Sequence, residues 1–478
     1  MGPFVESAAS DELLKFDPAT GELLARVPAY SDDEIARAVE AARDAFPIWS
    51  RRRPAERQAA LLALADLIED NTAALAHIES QDTGIPLFLT RGGSLPRAVA
   101  HVRHFAAEAM RMTGESCRTD DAYMQITTRE PLGVAAVFVP WNAPLSIATM
   151  NVAAALASGN TCVVKAPELA PRPIAELARL FEAIELPPGV VHFITGGPRA
   201  GRALVRHPAV NVISFTGGIA TAREIGREAA SSMKRVVMEL GGKSPNVIFA
   251  DAPFDEALDA ALLTVFSSNG ALCTAGSRIL VERPLYDRFA EAFAARASAI
   301  RVGSPLDLST EMGPMITPEH RDSVLRTIRE AVAGGAQILA GESEPLPRSG
   351  NFVRPAVLAN VTNEMPVARE EVFGPVAVLM PFDSEEEAIA IANDTVYGLA
   401  AYVWTSDLQR AMRVSGAIRA GVCSVNAPIV RDLRVPFGGF GQSGIGRVGG
   451  RASIEGFTEP KTITIPIRPY PLPRLGAT

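Results

Sequence analysis

Short apolar runs and helix-like stretches alternate along the chain, and this alternation constrains the fold more than any other feature of the sequence. The first run, Gly133–Val139, is unbroken and stops at Pro140, as expected for a strand buried on both faces. Strands that alternate with helices pair in parallel, because each helix returns the chain to the same end of the sheet. The further runs are Thr161–Val164, Val190–Ile194, Val210–Phe215 and Arg235–Met238, with helical stretches at Ile147–Ala157, Pro173–Ile184 and Ala220–Ala230.

A second alternating region begins near Asn246 and extends to about residue 435, with helical stretches at Leu258–Phe266, Pro318–Gly334 and Ser384–Asn393. A chain of 478 residues is too long for one simple core, so we expect more than one domain. The pattern predicts an α/β protein whose ligands bind beyond the carboxyl ends of the parallel strands.

Charge and composition exclude several classes of protein. The net charge is −8 and there is no long basic run, which argues against a general nucleic-acid binder. No apolar stretch approaches the roughly 20 residues needed to cross a bilayer, and the start of the chain does not resemble a secretory signal. The four cysteines are widely spaced and form no CxxC pair, so we expect no disulfide framework, no metal site and a cytoplasmic location.

Cys273 differs from the other cysteines in its surroundings. It lies in the segment Asn269–Ser277, where glycines on both sides permit tight turns and close approach of the backbone to a ligand. A structural cysteine usually sits among aliphatic residues, whereas small and polar residues flank this one. From the local sequence alone, a buried structural thiol and a nucleophile are equally good interpretations.

Glu239 and Asn142 each follow a predicted buried strand, at the edge where parallel sheets bind ligands. Taken alone, Glu239 is better explained as a solvated carboxylate at a strand end. Asn142 lies between Pro140 and Pro144, which stiffen the turn, and its amide could donate a hydrogen bond to a developing oxyanion. An ordinary asparagine turn is the structural alternative.

These pieces occur together in one known family. Over nearly its whole length the chain resembles the aldehyde dehydrogenase superfamily, with weaker similarity to the branch that acts on 2-hydroxymuconic and 2-aminomuconic semialdehydes. Glu239 and Cys273 stand 34 positions apart, in the family's order. The segments that carry the resemblance are Pro140–Pro144, Lys165–Glu168, Phe215–Gly218, Glu239–Pro245, Cys273–Arg278, Glu370–Pro375, Asn393–Leu399 and Pro436–Gly439.

The resemblance implies an enzyme that oxidises an aldehyde to a carboxylic acid by hydride transfer to NAD. Cys273 would attack the carbonyl, and Glu239 would serve as general base for the thiol, the hydrolytic water, or both. The Asn142 amide and the backbone N–H of Cys273 would stabilise the oxyanion of the thiohemiacetal. Loss of hydride leaves a thioester, which water then hydrolyses.

A dinucleotide site follows from the same resemblance, although no GxGxxG fingerprint opens the sheet. The pyrophosphate is expected near Phe215–Gly218, at the start of a helix, where free N–H groups attract an anion. The family's usual serine and later glycine are Gly218 and Ala222 here. The implied cofactor-binding residues are Trp141, Lys165, Pro167, Glu168, Phe215, Thr216, Gly217, Gly218, Leu240, Glu371 and Phe373.

Glu168 is expected to accept hydrogen bonds from the adenosine ribose, with Lys165 on the same loop. Its charge would repel a 2′-phosphate, which favours NAD over NADP. A surface ion pair between Lys165 and Glu168 is the structural alternative.

The branch resemblance also implies how a substrate is held. Arg97 and Arg431 would bind a carboxylate on the aldehyde, because guanidinium groups pair bidentately with carboxylates. Solvated or structurally paired arginines are the alternative reading, and an aromatic or aliphatic aldehyde is the alternative substrate. Ala427 stands where bulkier groups often occur, which predicts a wide pocket. The family's usual lysine and glutamate nearby are Gly441 and Val448 here.

The implied fold has a Rossmann-like cofactor-binding domain, an α/β catalytic domain and a small β arm that joins subunits. We predict the first at residues 1–112 and 133–240, the second at 241–440, and the arm at 113–132 and 457–478. A homodimer or homotetramer is expected, with a small aldehyde as the partner molecule and neither nucleic acid nor membrane.

Three rival classes have to be weighed. An acylating dehydrogenase would pass the thioester to coenzyme A, but a water-activating Glu239 would work against that transfer. A non-catalytic protein on the same scaffold would not need Cys273, Glu239 and Asn142 together. A cysteine hydrolase needs a histidine partner, and none of the six histidines sits beside a motif in a way that suggests a Cys–His pair. His101 and His104 are three residues apart on a predicted helix but lack acidic or cysteine partners for a metal site.

Overall fold

The strands of the structure follow the predicted alternation. The computed structural model describes residues 12–119, 121–344, 346, 349–428, 430–469 and 472–476. Within these residues the strands are β1 Glu12–Phe16, β2 Leu23–Pro28, β3 Glu115–Thr119, β4 Tyr123–Pro131, β5 Val134–Phe138, β6 Thr161–Lys165, β7 Val191–Ile194, β8 Val210–Thr216, β9 Arg235–Glu239, β10 Pro245–Ile248, β11 Arg278–Glu282, β12 Gln337–Ala340, β13 Ala356–Ala359, β14 Val376–Phe382, β15 Ala400–Trp404, β16 Val422–Val425, β17 Gly444–Ile445 and β18 Thr458–Pro466.

Helices fill the connections between the strands. One π-helical turn, Thr90–Ser94, interrupts the path between two of them. The helices are α1 Asp32–Ser50, α2 Pro54–Asp70, α3 Thr72–Thr83, α4 Leu87–Leu89, α5 Leu95–Ala109, α6 Pro144–Ala157, α7 Pro171–Glu182, α8 Pro198–Arg206, α9 Ile219–Ala230, α10 Phe254–Phe266, α11 Arg283–Ser298, α12 Pro318–Ala333, α13 Pro366–Arg369, α14 Glu385–Asn393, α15 Leu408–Ala417 and α16 Gly450–Gly456.

The first large sheet contains the five predicted parallel strands. They lie in the order β9-β8-β5-β6-β7, with β17 antiparallel on the β9 edge. Helices α2, α5, α6 and α7 pack on one face, and α1, α8 and α9 on the other, so the strands are covered on both sides. The continuous apolar runs are explained by this double coverage. The predicted α/β class is confirmed.

The second large sheet has the order β12-β13-β14-β11-β10-β15-β16 and is parallel except for the β12–β13 pair. Helices α10 and α11 cover one face, and α12 to α15 the other. Each sheet therefore has its own pair of apolar layers. This arrangement supports the predicted boundary near residue 241, and the division into domains stays a prediction.

A third sheet, β18-β4-β3, is antiparallel and lies within the ranges predicted for the arm. Ile463 and Ile465 of β18 remain 41% exposed, so this sheet presents apolar side chains to solvent. Residues 120, 470–471 and 477–478 of the arm ranges lie outside the described residues. The same holds for residues 1–11 of the predicted cofactor-binding range and for residues 345, 347–348 and 429 of the predicted catalytic range. Among the described helices, none is both long enough and apolar enough to cross a bilayer.

Candidate active site

A cavity with a volume of about 1380 Å³ lies where the two large sheets meet, beyond the carboxyl ends of β5, β6, β8 and β9. Cys273, Glu239 and Asn142 all line it. The predicted cofactor residues and both predicted substrate arginines line it as well. Arg97 and Arg431, which are more than 300 positions apart in the sequence, therefore line the same cavity.

Ala427 is the exception among the predicted site residues, because the cavity wall at this point is formed by its neighbour Pro428. Asn426 adopts a left-handed backbone conformation with φ of 49°. Its amide is tied to the backbone of Thr405 by hydrogen bonds of 2.8 and 3.0 Å. This turn directs the chain so that Pro428 reaches the cavity, and the role of Ala427 stays a prediction.

The loop that carries Cys273 is held by an unusual turn. Ser268, Asn269 and Gly270 have φ values of 50°, 61° and 74°, the left-handed region that only glycine adopts readily. Such strain persists only where surrounding contacts hold it. Here the buried Asn269 amide donates to the carbonyls of Gly84, at 2.9 Å, and Pro314, at 3.0 Å.

The same Asn269 side chain accepts a hydrogen bond from the N–H of Gly313 at 2.7 Å. Its oxygen and both amide hydrogens therefore have partners, on two different segments of the chain. Gly270 next to it is pressed against a third segment, since a Cβ there would lie 2.2 Å from the carbonyl carbon of Gly374. Sequence analysis gave Asn269 no role, because nothing in its local pattern points to these distant backbone partners.

Burial disfavours the ionised forms of both Cys273 and Glu239. It raises the pKa of the Cys273 thiol to about 12, with the nearby charges of Glu371 and Glu239 adding to the rise and that of Arg431 opposing it. Burial likewise raises the pKa of Glu239 to about 8, opposed by Arg431 and Arg447. A carboxylate with a pKa near the working pH is well suited to accept and return protons.

Glu239 occupies the last position of β9, where it pairs with Gly444 of β17. It is 6% exposed, and neither carboxyl oxygen has a hydrogen-bond partner among the described residues. Glycine at 438 makes room for it, because a Cβ there would lie 2.7 Å from Oε1 of Glu239. The short β17 strand was not predicted, since two residues in a glycine-rich stretch show no periodicity.

Asn142 lies in the turn between β5 and α6. Its Nδ2 donates to the carbonyl oxygen of Ala271 at 2.8 Å, which fixes the amide beside the loop that carries Cys273. An amide nitrogen carries two hydrogens, so one N–H of Asn142, which lines the cavity, is left for a ligand. This geometry supports the predicted role of an oxyanion donor.

The cofactor half of the cavity contains groups that suit a dinucleotide. Gly218 is the N-cap of α9 and brings no capping side chain, so the first N–H groups of a twelve-residue helix are available to an anion. A Cβ at Gly218 would meet nothing within 4 Å, which leaves room for a phosphate. The turn before this helix therefore fits a pyrophosphate even without the family's serine.

Lys165 and Glu168 form an ion pair with 2.8 Å between Nζ and Oε1, which is the contact that the sequence offered as an alternative to ribose binding. The pair lies in the cavity wall, and the Lys165 side chain is only 7% exposed. Two polar groups held in a concave wall suit a ribose with its hydroxyl groups.

Glu371 borders the region between the cofactor residues and Cys273. Its Oε1 accepts from the N–H of Gly242 at 3.1 Å, and burial raises its pKa to about 7. A Cβ at Gly241 would lie 2.0 Å from Glu371 Oε2, so glycine is required for this contact. The rings of Trp141 and Phe373 meet edge to face with centroids 5.5 Å apart and form a flat apolar wall nearby.

Arg97 and Arg431 approach the cavity from α5 and from the loop after β16. Among the described residues neither guanidinium has a carboxylate partner within ion-pair distance. Arg431 lies over the Phe437 ring at 3.5 Å from its centroid. Partial burial lowers the pKa of both groups, although Arg97 stays exposed and Arg431 is half-buried.

Two further cavity residues were missed by sequence analysis. Glu79 is 1% exposed and accepts from Ser94 Oγ and from the N–H of Leu145, so it caps α6 and fixes the π-helical turn before Arg97. His101 is also 1% exposed and lines the cavity one turn after Arg97. For His101, the only sequence signal is its i, i+4 spacing from Arg97, which places the two residues on the same side of a helix.

Comparison with known proteins agrees with this geometry. The family profile described as "Aldehyde dehydrogenase family" matches residues 4–463. The 5-carboxymethyl-2-hydroxymuconate semialdehyde dehydrogenase of Escherichia coli is 45% identical over 455 residues, which are 94% of this chain and 96% of that protein. The 2-aminomuconic semialdehyde dehydrogenase of Homo sapiens is 42% identical over 458 residues, 94% of each chain. The NAD+ complex of an aldehyde dehydrogenase from Bacillus cereus superposes with a TM-score of 0.94 at 36% identity, covering 96% of this chain and 94% of that one.

Proposed function

The chain belongs to the aldehyde dehydrogenase family, and we propose that it oxidises a semialdehyde that carries a carboxylate to the corresponding dicarboxylic acid, with NAD as hydride acceptor. The two arginines in the cavity carry this proposal. Neither guanidinium has a carboxylate partner among the described residues. A carboxylate on the substrate would supply that partner to the half-buried Arg431 and to Arg97, which is exposed on the cavity wall. The names of the relatives, which act on muconic semialdehydes, agree with such a substrate.

The first chemical step transfers a proton. The Cys273 thiol gives its proton to the carboxylate form of Glu239, directly or through a water molecule, and the sulfur attacks the aldehyde carbon. The carbonyl oxygen becomes an oxyanion, which the Asn142 amide and the Cys273 N–H stabilise. Asn142 is already fixed through Ala271, so little reorganisation is needed when the charge develops.

When bound, NAD supplies the acceptor for the hydride that leaves the thiohemiacetal carbon. The turn at Phe215–Gly218, the Lys165–Glu168 pair and Glu371 would hold it, with Trp141 and Phe373 as an apolar wall. The negative charge of Glu168 favours a free ribose hydroxyl over a 2′-phosphate, and therefore NAD over NADP.

Hydrolysis completes the cycle. Glu239 first releases the thiol proton to solvent, and its carboxylate then accepts a proton from water as the water oxygen attacks the thioester carbon. The C–S bond breaks, the proton passes from Glu239 to the departing Cys273 sulfur, and the carboxylic acid leaves. A carboxylate base in this place supports release of a free acid over transfer to coenzyme A.

The subunit arrangement and location are part of the proposal. The exposed Ile463 and Ile465 of β18 support the arm as a subunit contact, in a homodimer or homotetramer. All four cysteines are free thiols, which is compatible with a reducing cytoplasm.

The test is a comparison of aldehydes that differ only in a distal carboxylate, such as adipic semialdehyde and hexanal, followed by NADH absorbance. We expect kcat/KM to be at least about tenfold higher for the acid, the loss expected when a charged hydrogen-bonding partner is missing. Equal values for the two aldehydes would contradict a carboxylate-bearing substrate and favour a neutral aliphatic or aromatic one. A coenzyme A thioester as product would contradict hydrolysis.

A further inference from the structure

His101 presents an unused hydrogen-bond acceptor in the substrate half of the cavity. Its Nδ1 lies 2.9 Å from the carbonyl oxygen of Ser146 in α6. A carbonyl can only accept, so Nδ1 carries the ring proton in this contact. The other ring nitrogen, Nε2, is therefore left with a bare lone pair.

Nε2 has no hydrogen-bond partner among the described residues, although the residue is only 1% exposed. Burial, with the charges of Arg431 and Arg97 adding to it, lowers the pKa of His101 to about 3. The ring thus stays neutral at physiological pH, and Nε2 stays an acceptor. A buried polar atom without a partner is uncommon, and one that belongs to a cavity residue can complete its bonding with a ligand or a water molecule.

The neighbours of His101 define what that ligand is. Arg97 stands one turn earlier on the same side of α5, and Arg431 faces both from the loop after β16. The acceptor therefore lies beside the two cations that would hold the substrate carboxylate. A group that meets Nε2 belongs to the part of the substrate next to that carboxylate, and it must bring a hydrogen.

We propose that His101 Nε2 accepts a hydrogen bond from a hydroxyl or amino group on the substrate carbon next to its carboxylate, and so selects for substrates that carry such a donor. This inference rests on the proposed function, since the arginines must first bind the carboxylate. One acceptor serves both donors, which agrees with relatives named for 2-hydroxy and 2-amino compounds. A substrate with hydrogen at that carbon would leave Nε2 unpaired.

The experiment compares two aromatic aldehydes in the full-length enzyme: 4-formyl-2-hydroxybenzoate, with a hydroxyl beside the carboxylate, and 4-formylbenzoate, without it. It uses wild-type enzyme, His101→Leu and the control His104→Leu. His104 lies on the same helix, also has an unpartnered Nε2, and does not line the cavity.

We expect wild type and His104→Leu to favour the hydroxylated aldehyde by about tenfold or more in kcat/KM, mainly through KM. His101→Leu should lose that preference, so that its kcat/KM falls more for the hydroxylated aldehyde than for 4-formylbenzoate. A variant with equal losses on both aldehydes would mean that His101 only supports Arg97 or the fold, and would overturn the inference.

The wild-type comparison keeps the inference testable even if His101→Leu fails to fold, because a wild type that treats the two aldehydes alike also overturns it. The proposed function fails in a different way. Benzaldehyde, which has no carboxylate, would then be oxidised as efficiently as 4-formylbenzoate.

Discussion

The side-chain amide of Asn142 and the carbonyl oxygen of Ala271 are joined by a hydrogen bond of 2.8 Å. Ala271 precedes Cys273 by two residues, so the amide is fixed against the loop that carries the thiol. The bond brings the turn after β5 and the loop after α10 together, although they are far apart in sequence. A donor fixed before the reaction begins is more effective than one that must be oriented during it.

Replacing Asn142 by alanine should therefore slow catalysis much more than it weakens binding. Loss of one oxyanion donor typically lowers kcat by about a hundred- to a thousandfold. Steady-state kinetics with NADH detection would show this as a fall in kcat with KM changed little. If Asn142→Ala kept more than a tenth of the wild-type kcat, the oxyanion role would be wrong.

The pKa of Glu239 predicts how activity depends on pH. Because burial raises this pKa to about 8, the carboxyl group is mostly protonated below that pH and cannot accept a proton. We expect kcat/KM to rise as the pH increases through about 8, and Glu239→Gln to lose this rise along with most activity. Arg431→Gln should move the rise to higher pH, because the positive charge of Arg431 lowers the pKa of Glu239.

The same shift links Glu239 to stability. The folded protein holds this proton more tightly than the unfolded chain, so its contribution to stability is present at low pH and is lost as the pH rises through about 8. Glu239→Gln should then raise the melting temperature more at pH 9 than at pH 5. An equal change at both pH values would show that the carboxyl group titrates near its ordinary value.

Replacing Arg97 by glutamine should impair only acidic substrates. The KM for adipic semialdehyde should rise by about ten- to a hundredfold, since a hydrogen-bonded charge partner is lost, while hexanal should be unaffected. Arg103→Gln is the matched control, because Arg103 lies on the same helix but pairs with Asp66 and Glu69 on the surface. Equal losses on both aldehydes would argue against carboxylate recognition by Arg97.

Asn269→Ala should misplace the thiol without removing any group that touches substrate. The three hydrogen bonds that hold the left-handed turn are lost, and we expect kcat and the rate of Cys273 alkylation by iodoacetamide to change together, with kcat falling about tenfold or more. Asn360→Ala is the control, since Asn360 has the same backbone conformation, with φ of 53°, and an amide bonded to Gly335, but on an exposed turn. Loss of stability without a change in alkylation rate would reduce Asn269 to a fold-supporting role.

Sequence reasoning succeeded where a local signal exists. The run Gly133–Val139 reads as a doubly buried strand because every residue in it is apolar, and β5 occupies its centre. The residues around Cys273 did not decide between a structural thiol and a nucleophile. The spacing of Cys273 from Glu239, together with the other signature segments, predicted that both belong to one site, and both line the same cavity in the structure.

The features that were missed depend on contacts that no local pattern encodes. The bonds of Asn269 go to backbone atoms of Gly84 and Pro314, and any residue type supplies a carbonyl. His101 is of interest because its Nε2 has no hydrogen-bond partner among the described residues, and this can be seen only in the folded structure. Tertiary packing, and not propensity, decides these positions.

The contact between Gly270 and Gly374 has a consequence for the timing of the reaction. No side chain separates the two backbones, and Gly374 directly follows the segment from Glu371 to Phe373. If the dinucleotide orders that segment, the loop that carries Cys273 has to change its conformation as well. Because such coupling is reciprocal, binding of the cofactor should increase the reactivity of the thiol. Formation of the covalent adduct with the aldehyde should in turn slow the release of the cofactor.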